Sequence, residues 1–178
     1  VETIAAHGVT VTDFVPTTFN LLVARLDRDP EALRRVGALR HLVVGGEEIS
    51  PRQVHRLREL LPGLRVSNAY GPSETTIGMV FHDVLATDGD DVPLGRPIDN
   101  CAAVVVDERL RPLPPGAVGE IAIGGACVGA GYLGAPESTA AKFVPNPFPE
   151  IAGERLYRSG DLGWYDPYGR LHFGGRRD

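Results

Sequence analysis

Three times within the first 70 residues a short apolar run alternates with a helical pattern, and this repeat restricts the chain to one class of architecture. "VETIAAHG" reads as the end of a helix closed by Gly8, and "VTVTDFVP" as a buried strand stopped by Pro16. A helix through "TTFNLLVARL" follows. Asp29-Pro30 is an N-cap with proline at the first helical position, opening "EALRRV", and "LRHLVVGG" is an apolar strand ending in two glycines. Ser50-Pro51 repeats the same start signal before "RQVHRLRELL". There Val54, Leu57 and Leu61 fall on one face, with Arg52, Arg56 and Glu59 elsewhere and His55 expected in solvent. "LRVSNAY" is a further strand. Strand and helix in alternation predict a parallel α/β layer.

Near residue 83 the pattern changes. Short strand-like runs, "CAAVVVDE", "EIAIGG" and "RLYRSGDLGWYDPYGRLHFGG", are separated by Gly and Pro, with one short helix, "PESTAAKF", among them. Asp166-Pro167-Tyr168-Gly169 between two such runs marks a hairpin. Two regions are expected: residues 1–82, the end of an α/β subdomain, and residues 83–178, a β-rich subdomain. No internal repeat or low-complexity segment is present.

Composition narrows the function. With 178 residues, 43% hydrophobic and 23% charged, the chain can bury a sizeable core. A net charge of -5 and a pI near 5.5 lack the basic footprint of a nucleic-acid binder, and no run of like charges marks a membrane surface. Cys101 and Cys127 are the two cysteines, without CxxC or Cys/His spacing, so neither a zinc site nor a disulfide framework is signalled. The start carries no initiator Met and no signal-type segment, and no apolar run nears a bilayer span, so a cytoplasmic segment from within a longer chain is expected.

Chemistry concentrates in "NAYGPSETTI", Asn68 to Ile77. A strand ending in Tyr70, a Gly71-Pro72 turn and a helix opening at Ser73-Glu74-Thr75 would aim hydroxyls and backbone N–H groups at a phosphate. Tyr70 offers a face to a base, and Glu74 a carboxylate to a magnesium ion. The same residues also fit a capping box with a core tyrosine. In "YRSGDLGWYDPYG", Asp161 follows a glycine in what reads as a tight turn, where it could hold a vicinal diol or cap its own backbone.

Taken together, "NAYGPSETTI", "GEIAIGGACVGAGYL", "YRSGDL" and "GGRRD" resemble, in order and spacing, the adenylation domains of nonribosomal peptide synthetases, in the superfamily that also holds acyl-CoA synthetases and luciferases. The resemblance covers essentially the whole chain. It implies the C-terminal half of a core domain: the later part of a parallel α/β layer, then a distorted-barrel β subdomain, with the small C-terminal subdomain absent. By the same resemblance Tyr70 stacks on adenine with Asn68 and Ala69 at the base edge, and Ser73, where threonine is usual, keeps a hydroxyl for a phosphate. Glu74 is the implied magnesium ligand, Asp161 holds both ribose hydroxyls, and Arg176 and Phe173 lie beside the adenosine. Asp178 matches the hinge. Phe14, Val43, Gly45, Ala69, Ile77 and Gly78 fall where the family lines its amino-acid side-chain pocket. None is charged, so a neutral, mainly apolar substrate is expected. Simple core packing is the competing reading, above all for Val43 and Ile77.

The implied activity joins ATP and an amino acid into an aminoacyl adenylate with release of pyrophosphate, then passes the acyl group to the phosphopantetheine thiol of a carrier protein. Neighbouring synthetase domains and the remaining parts of the same domain are the expected partners. The sequence departs from the family where Gly129-Ala130 stands for Ala-Arg. It contains neither the glycine-rich phosphate loop nor the aspartate that binds the substrate amine, and its one lysine, Lys142, sits in an expected surface helix. The segment alone is therefore expected to be inactive. An acyl- or aryl-CoA ligase and a non-catalytic half-domain are the alternatives. Arginine-rich, lysine-poor usage points to a GC-rich bacterial source.

Overall fold

The computed structural model of the chain describes residues 1–89 and 91–177. They form two compact units, Val1–Ala69 with His82–Val92, and Tyr70–Phe81 with Pro93 onward. The sequence reading set one break after residue 82. The units interleave instead, because two strands, β3 and β4 below, each change unit part-way along their length.

The first unit runs α1 (Glu2–Ala6), β1 (Val11–Phe14), α2 (Pro16–Arg28), α3 (Pro30–Arg35), β2 (His41–Gly45), α4 (Pro51–Leu60) and β3 (Arg65–Tyr70). β1, β2 and β3 are parallel neighbours in that order, pairing Asp13 with Val43, Val43 with Ser67 and Gly45 with Ala69. Proline occupies the start of α2, α3 and α4, where its missing N–H costs nothing. Asp29 accepts hydrogen bonds from Glu31 N at 3.0 Å and Ala32 N at 3.1 Å, the cap that its sequence predicts. Ser50 makes no such side-chain bond before α4.

The helices bury Phe19, Val23, Leu26, Val54 and Leu57 against Leu42, Val44 and Val66, all on one face of the sheet. Because strand side chains alternate, Asp13, Val43, Gly45, Ser67 and Ala69 stand on the other face. β1 is the edge strand and is less buried than expected, with Val11 57% exposed, since it has a neighbour on one side alone among the described residues.

In the second unit a single three-residue 3-10 turn, Ser73–Thr75, follows β3. β4 (Val80–Asp83) pairs through Val80 and Phe81 with β5 (Arg96–Pro97). Then come β6 (Cys101–Val106), β7 (Gly119–Gly125), α5 (Pro136–Lys142), β8 (Phe143–Pro145), β9 (Arg155–Tyr165) and β10 (Leu171–Arg176). The antiparallel sheet has the order β10-β9-β7-β6, with β8 also on β9. It bends at two register shifts, between Glu120 and Ala122 and between Phe173 and Gly175. Met79, Val80, Ile121, Ile123 and Leu171 fill its core.

The predicted hairpin joins β9 to β10. Asp166 accepts from Tyr168 N at 2.9 Å and Arg170 N at 2.8 Å, and Gly169 takes the left-handed φ of 72° that closes the turn. No helix among the described residues is long and apolar enough to cross a membrane.

Candidate functional site

The expected helix at Ser73 does not form. The 3-10 turn ends at Thr76 and Ile77, whose φ angles of 61° and 64° are left-handed, so no helix dipole faces a ligand here. β-Branched residues avoid this region, which makes the pair a strained turn. Thr75, fully buried, donates its hydroxyl to Pro72 O at 3.1 Å, and Ile77 N returns to Pro72 O at 3.2 Å. Gly71 is required beneath it: a Cβ there would lie 1.7 Å from Ile77 O. Ser73 is exposed on this turn and Glu74 half-buried. Ile77, 73% exposed, and Gly78 belong to the same strained segment.

Tyr70, at the end of β3, donates its hydroxyl to Asp161 Oδ2 at 2.6 Å, and Arg176 Nη1 donates to Asp161 Oδ1 at 3.0 Å. The three residues lie 91 and 15 positions apart in sequence, brought together by β9 and β10, in which Asp161 pairs with Arg176. Burial, then the hydrogen bond and charge of Asp161, push the Tyr70 phenol well above its ordinary range, so it remains a donor. Asp161 is 8% exposed and lies within a strand, not in the tight turn expected of it. Gly160, at φ 78°, precedes it in the β9 strand. Phe173, on β10 opposite Gly163, is 38% exposed beside the bulge. Each Asp161 oxygen has two lone-pair directions, so one per oxygen remains after Tyr70 and Arg176 are served.

Glu74 is held by residues to which the sequence reading gave no role. Tyr132 OH donates to its Oε1 at 2.6 Å. Burial alone would raise the Glu74 carboxyl. The bonds from Tyr132, from its own backbone and from Tyr157, with the charge of Lys142, hold it below the usual range instead. Lys142, on a helix with no buried residue, thus bears on Glu74 electrostatically. An ionised carboxylate suits magnesium, which takes one or two such ligands and completes its shell with phosphate oxygens and water. Among the described residues no cluster of three His, Cys, Asp or Glu side chains forms a separate metal site.

Of the residues expected to line the amino-acid pocket, Val43, Gly45 and Ala69 share one sheet face toward the carboxyl ends of β2 and β3. Ligands of open parallel sheets bind at such ends. Gly45 lies so close to β3 that a Cβ would meet Ala69 O at 2.4 Å. Phe14 is not among them: it pairs with Val44 and packs into the helix-covered core. Its neighbour Asp13 pairs with Val43 and takes the face that Val43 shares with Gly45 and Ala69, exposed, its carboxylate with no hydrogen bond or ion pair among the described residues. A one-residue offset in a strand exchanges faces, and sequence gave no signal for which of the two points where. Asn68 is buried on the helix-covered face, and Asp178 lies outside the described residues.

Comparison with known proteins assigns the family. Residues 1–133 match the family model described as AMP-binding enzyme, and the chain belongs to that family. It is 41% identical over 157 residues to tyrocidine synthase 3 of Brevibacillus parabrevis, covering 88% of this chain and 2% of that protein. Over 180 residues it is 42% identical to chondramide synthase cmdD of Chondromyces crocatus, covering 97% and 4%.

Among solved structures, PA1221, a nonribosomal peptide synthetase protein containing adenylation and PCP domains, superposes with a TM-score of 0.88 at 36% identity, covering 99% of this chain and 35% of that one. The AMPPNP-bound form of the synthetase FmoA3 gives 0.89 at 38% identity, covering 98% and 19%. The chain therefore spans a few per cent of these curated relatives and a fifth to a third of the solved chains.

Proposed function

We propose that the chain is part of an adenylation domain that activates an amino acid with ATP for nonribosomal peptide assembly. The observation that carries this is the Tyr70–Asp161–Arg176 constellation beside a carboxylate on a strained turn. In this reading Tyr70 stacks on adenine with Phe173 beside the nucleoside, and Asp161 accepts from both ribose hydroxyls. Ser73 donates to a phosphate. Glu74 would hold magnesium, which supplies charge neutralisation at the phosphates. The substrate carboxylate attacks the α-phosphorus, pyrophosphate leaves, and an aminoacyl adenylate results. The residues of this chain contribute by positioning and by charge, with no proton transfer assigned to any of them. A carrier-protein phosphopantetheine thiol then takes the acyl group as a thioester, its C–S bond replacing the acyl–phosphate bond with release of AMP, in the cytoplasm, where ATP is supplied. The AMPPNP complex of FmoA3 and the PCP domain of PA1221 support the nucleotide and carrier parts of this reading.

Asp13 alters the expected substrate. With a carboxylate beside Val43 on the pocket face, an apolar side chain would desolvate a charge and offer it nothing, whereas an ammonium or guanidinium would pair with it. The substrate side chain is accordingly cationic. The test is amino-acid-dependent exchange of labelled pyrophosphate into ATP by the natural chain that carries this segment, against cationic, amide, apolar, aryl and fatty acids. Exchange with lysine, ornithine or arginine that moves to a neutral amino acid in Asp13→Ser supports both parts. Exchange with an apolar amino acid keeps the adenylation reading and removes Asp13 from the pocket. Exchange with aryl or fatty acids alone makes the parent a CoA ligase.

A further inference from the structure

The turn that presents Glu74 has no helix to hold it and two strained residues at its end, so whatever orients the carboxylate must come from outside the turn. One segment does this by three bonds. Gly129 N donates to Glu74 O at 2.8 Å, Thr76 Oγ1 donates to Cys127 O at 2.9 Å, and Tyr132 OH donates to Glu74 Oε1 at 2.6 Å. Main chain and side chain of Glu74 are thus both gripped by residues 127–132.

Tyr132 is itself fixed. Its N donates to Thr139 Oγ1 at 2.9 Å, and its ring meets Phe143 edge-on, with centroids 5.5 Å apart and planes at 77°. Phe143 in turn packs on Tyr157 at 5.1 Å. Gly131, at φ 129°, lets the chain pass Thr139, whose Cγ2 would be 2.4 Å from any Cβ. A phenol anchored in this way removes rotamer freedom from the carboxylate. It does so without cancelling the charge, as a lysine or arginine in the same place would.

We propose that Tyr132 is the positioning residue for Glu74, holding its carboxylate in the orientation that a divalent cation bound to nucleotide phosphates requires. The proposal rests on the adenylation reading above. Partners that orient a metal ligand typically change metal affinity by roughly 10- to 100-fold when removed. The effect should appear in cation binding before it appears in stability, because Tyr132→Phe keeps the ring and its contact with Phe143.

The experiment measures Mn2+ binding by electron paramagnetic resonance in the natural chain that carries this segment, with a non-hydrolysable ATP analogue present. Tyr132→Phe is expected to weaken Mn2+ by about tenfold or more with the melting temperature held. Added to Glu74→Gln, the same change is expected to do nothing further, since it acts through a carboxylate already removed. Mn2+ affinity within twofold of wild type, or an equal further loss in the double variant, overturns the proposal. Should Tyr132→Phe fail to fold, Thr139→Val, which removes the hydroxyl that accepts from Tyr132 N and leaves Glu74 untouched, serves instead: a tenfold loss supports the role and unchanged affinity overturns it. A wild-type chain that binds neither analogue nor Mn2+ overturns the nucleotide reading as well. One that binds both, with Tyr132→Phe unchanged, overturns the role of Tyr132 alone.

Discussion

Glu120 offers a sharp test of how the second unit holds its site. It lies on β7 at the bulge, 5% exposed, and its Oε2 accepts from Arg158 Nε at 3.1 Å and also from Arg158 Nη2. Its Oε1 accepts from Gly160 N at 3.2 Å, one residue before Asp161. Glu120→Gln keeps the shape and loses the charge, and its amide must turn a donor toward Arg158 or toward Gly160 N–H. Removing one partner of a buried pair costs about 3–5 kcal/mol. Arg158 keeps 27% of its side chain exposed and can recover some hydration, which moves the expectation to about 2–3 kcal/mol.

For a chain of this size each kcal/mol shifts the melting temperature by about 2–4 °C, so scanning calorimetry should show a fall of about 4–12 °C. Replacing both partners, Glu120→Met with Arg158→Leu, leaves no charge at the Arg158 position but takes the acceptor from Gly160 N and one of two carboxylates from Arg177, so it should recover only part of that fall. Nucleotide affinity should drop in Glu120→Gln as well, because the backbone preceding Asp161 loses its anchor. A single variant that melts within a degree of wild type, or a double variant that melts lower than the single, would refute the reasoning.

Gly71→Ala, with its Cβ 1.7 Å from Ile77 O, should open the strained turn and abolish nucleotide binding, whereas Gly63→Ala, with nothing within 4 Å, should be silent in both binding and melting. Asp161→Asn removes the charge paired with Arg176; nucleotide binding should fall roughly tenfold or more, and calorimetry should no longer distinguish a 2′,3′-dideoxy analogue from the parent nucleotide. Equal affinity of the wild type for the dideoxy analogue and the parent nucleotide would remove Asp161 from the ribose. At alkaline pH, burial pushes the Tyr165 phenol up to about 12, so the folded chain keeps a proton that the unfolded chain releases near 10. Its contribution to stability is therefore complete below about pH 10 and fades between about 10 and 12, and Tyr165→Phe should flatten that part of a melting-against-pH curve.

What the sequence revealed and what it hid divide along a physical line. Local signals were legible: the Asp29 cap, the prolines that open α3 and α4, and the Asp166 turn are set by neighbours within four residues, and each is found where its chemistry requires, while Pro16, read as the end of a strand, also opens α2. Tyr70, Glu74 and Asp161 were singled out one at a time by their local motifs, with a bland alternative beside each, and only the resemblance joined them into one site, since nothing local says that residues 91 apart will share a hydrogen bond. The helix after Pro72 failed because Thr-Thr-Ile is β-branched throughout and the backbone leaves the helical region at Thr76. Phe14 was expected in the pocket from resemblance alone and Asp13 was given no role; the register puts Phe14 with Val44 and Asp13 with Val43, and an edge strand of four residues carries too little alternation to show that phase in sequence.

The placement of Asp13 and Phe14 on opposite faces bears on how specificity can evolve in such a fold. On the helix-covered face Leu42, Val44 and Val66 are locked by the core, so substitution there costs stability. On the opposite face Asp13, Val43 and Ala69 are only partly packed or exposed, and their replacement removes few contacts. Positions of the second kind can change charge at little structural cost, which is what the pocket role proposed for them requires. The Tyr70–Asp161–Arg176 and Glu74–Tyr132 contacts behave in the opposite way, since each member is hydrogen-bonded to another and a change in one strands its partner. A variant series that alters Asp13 should therefore move substrate preference with melting temperature nearly constant. One that alters Tyr132 should move cation binding whatever the amino acid offered. Should the two series move the same readout, the division of labour between pocket face and strained turn is wrong.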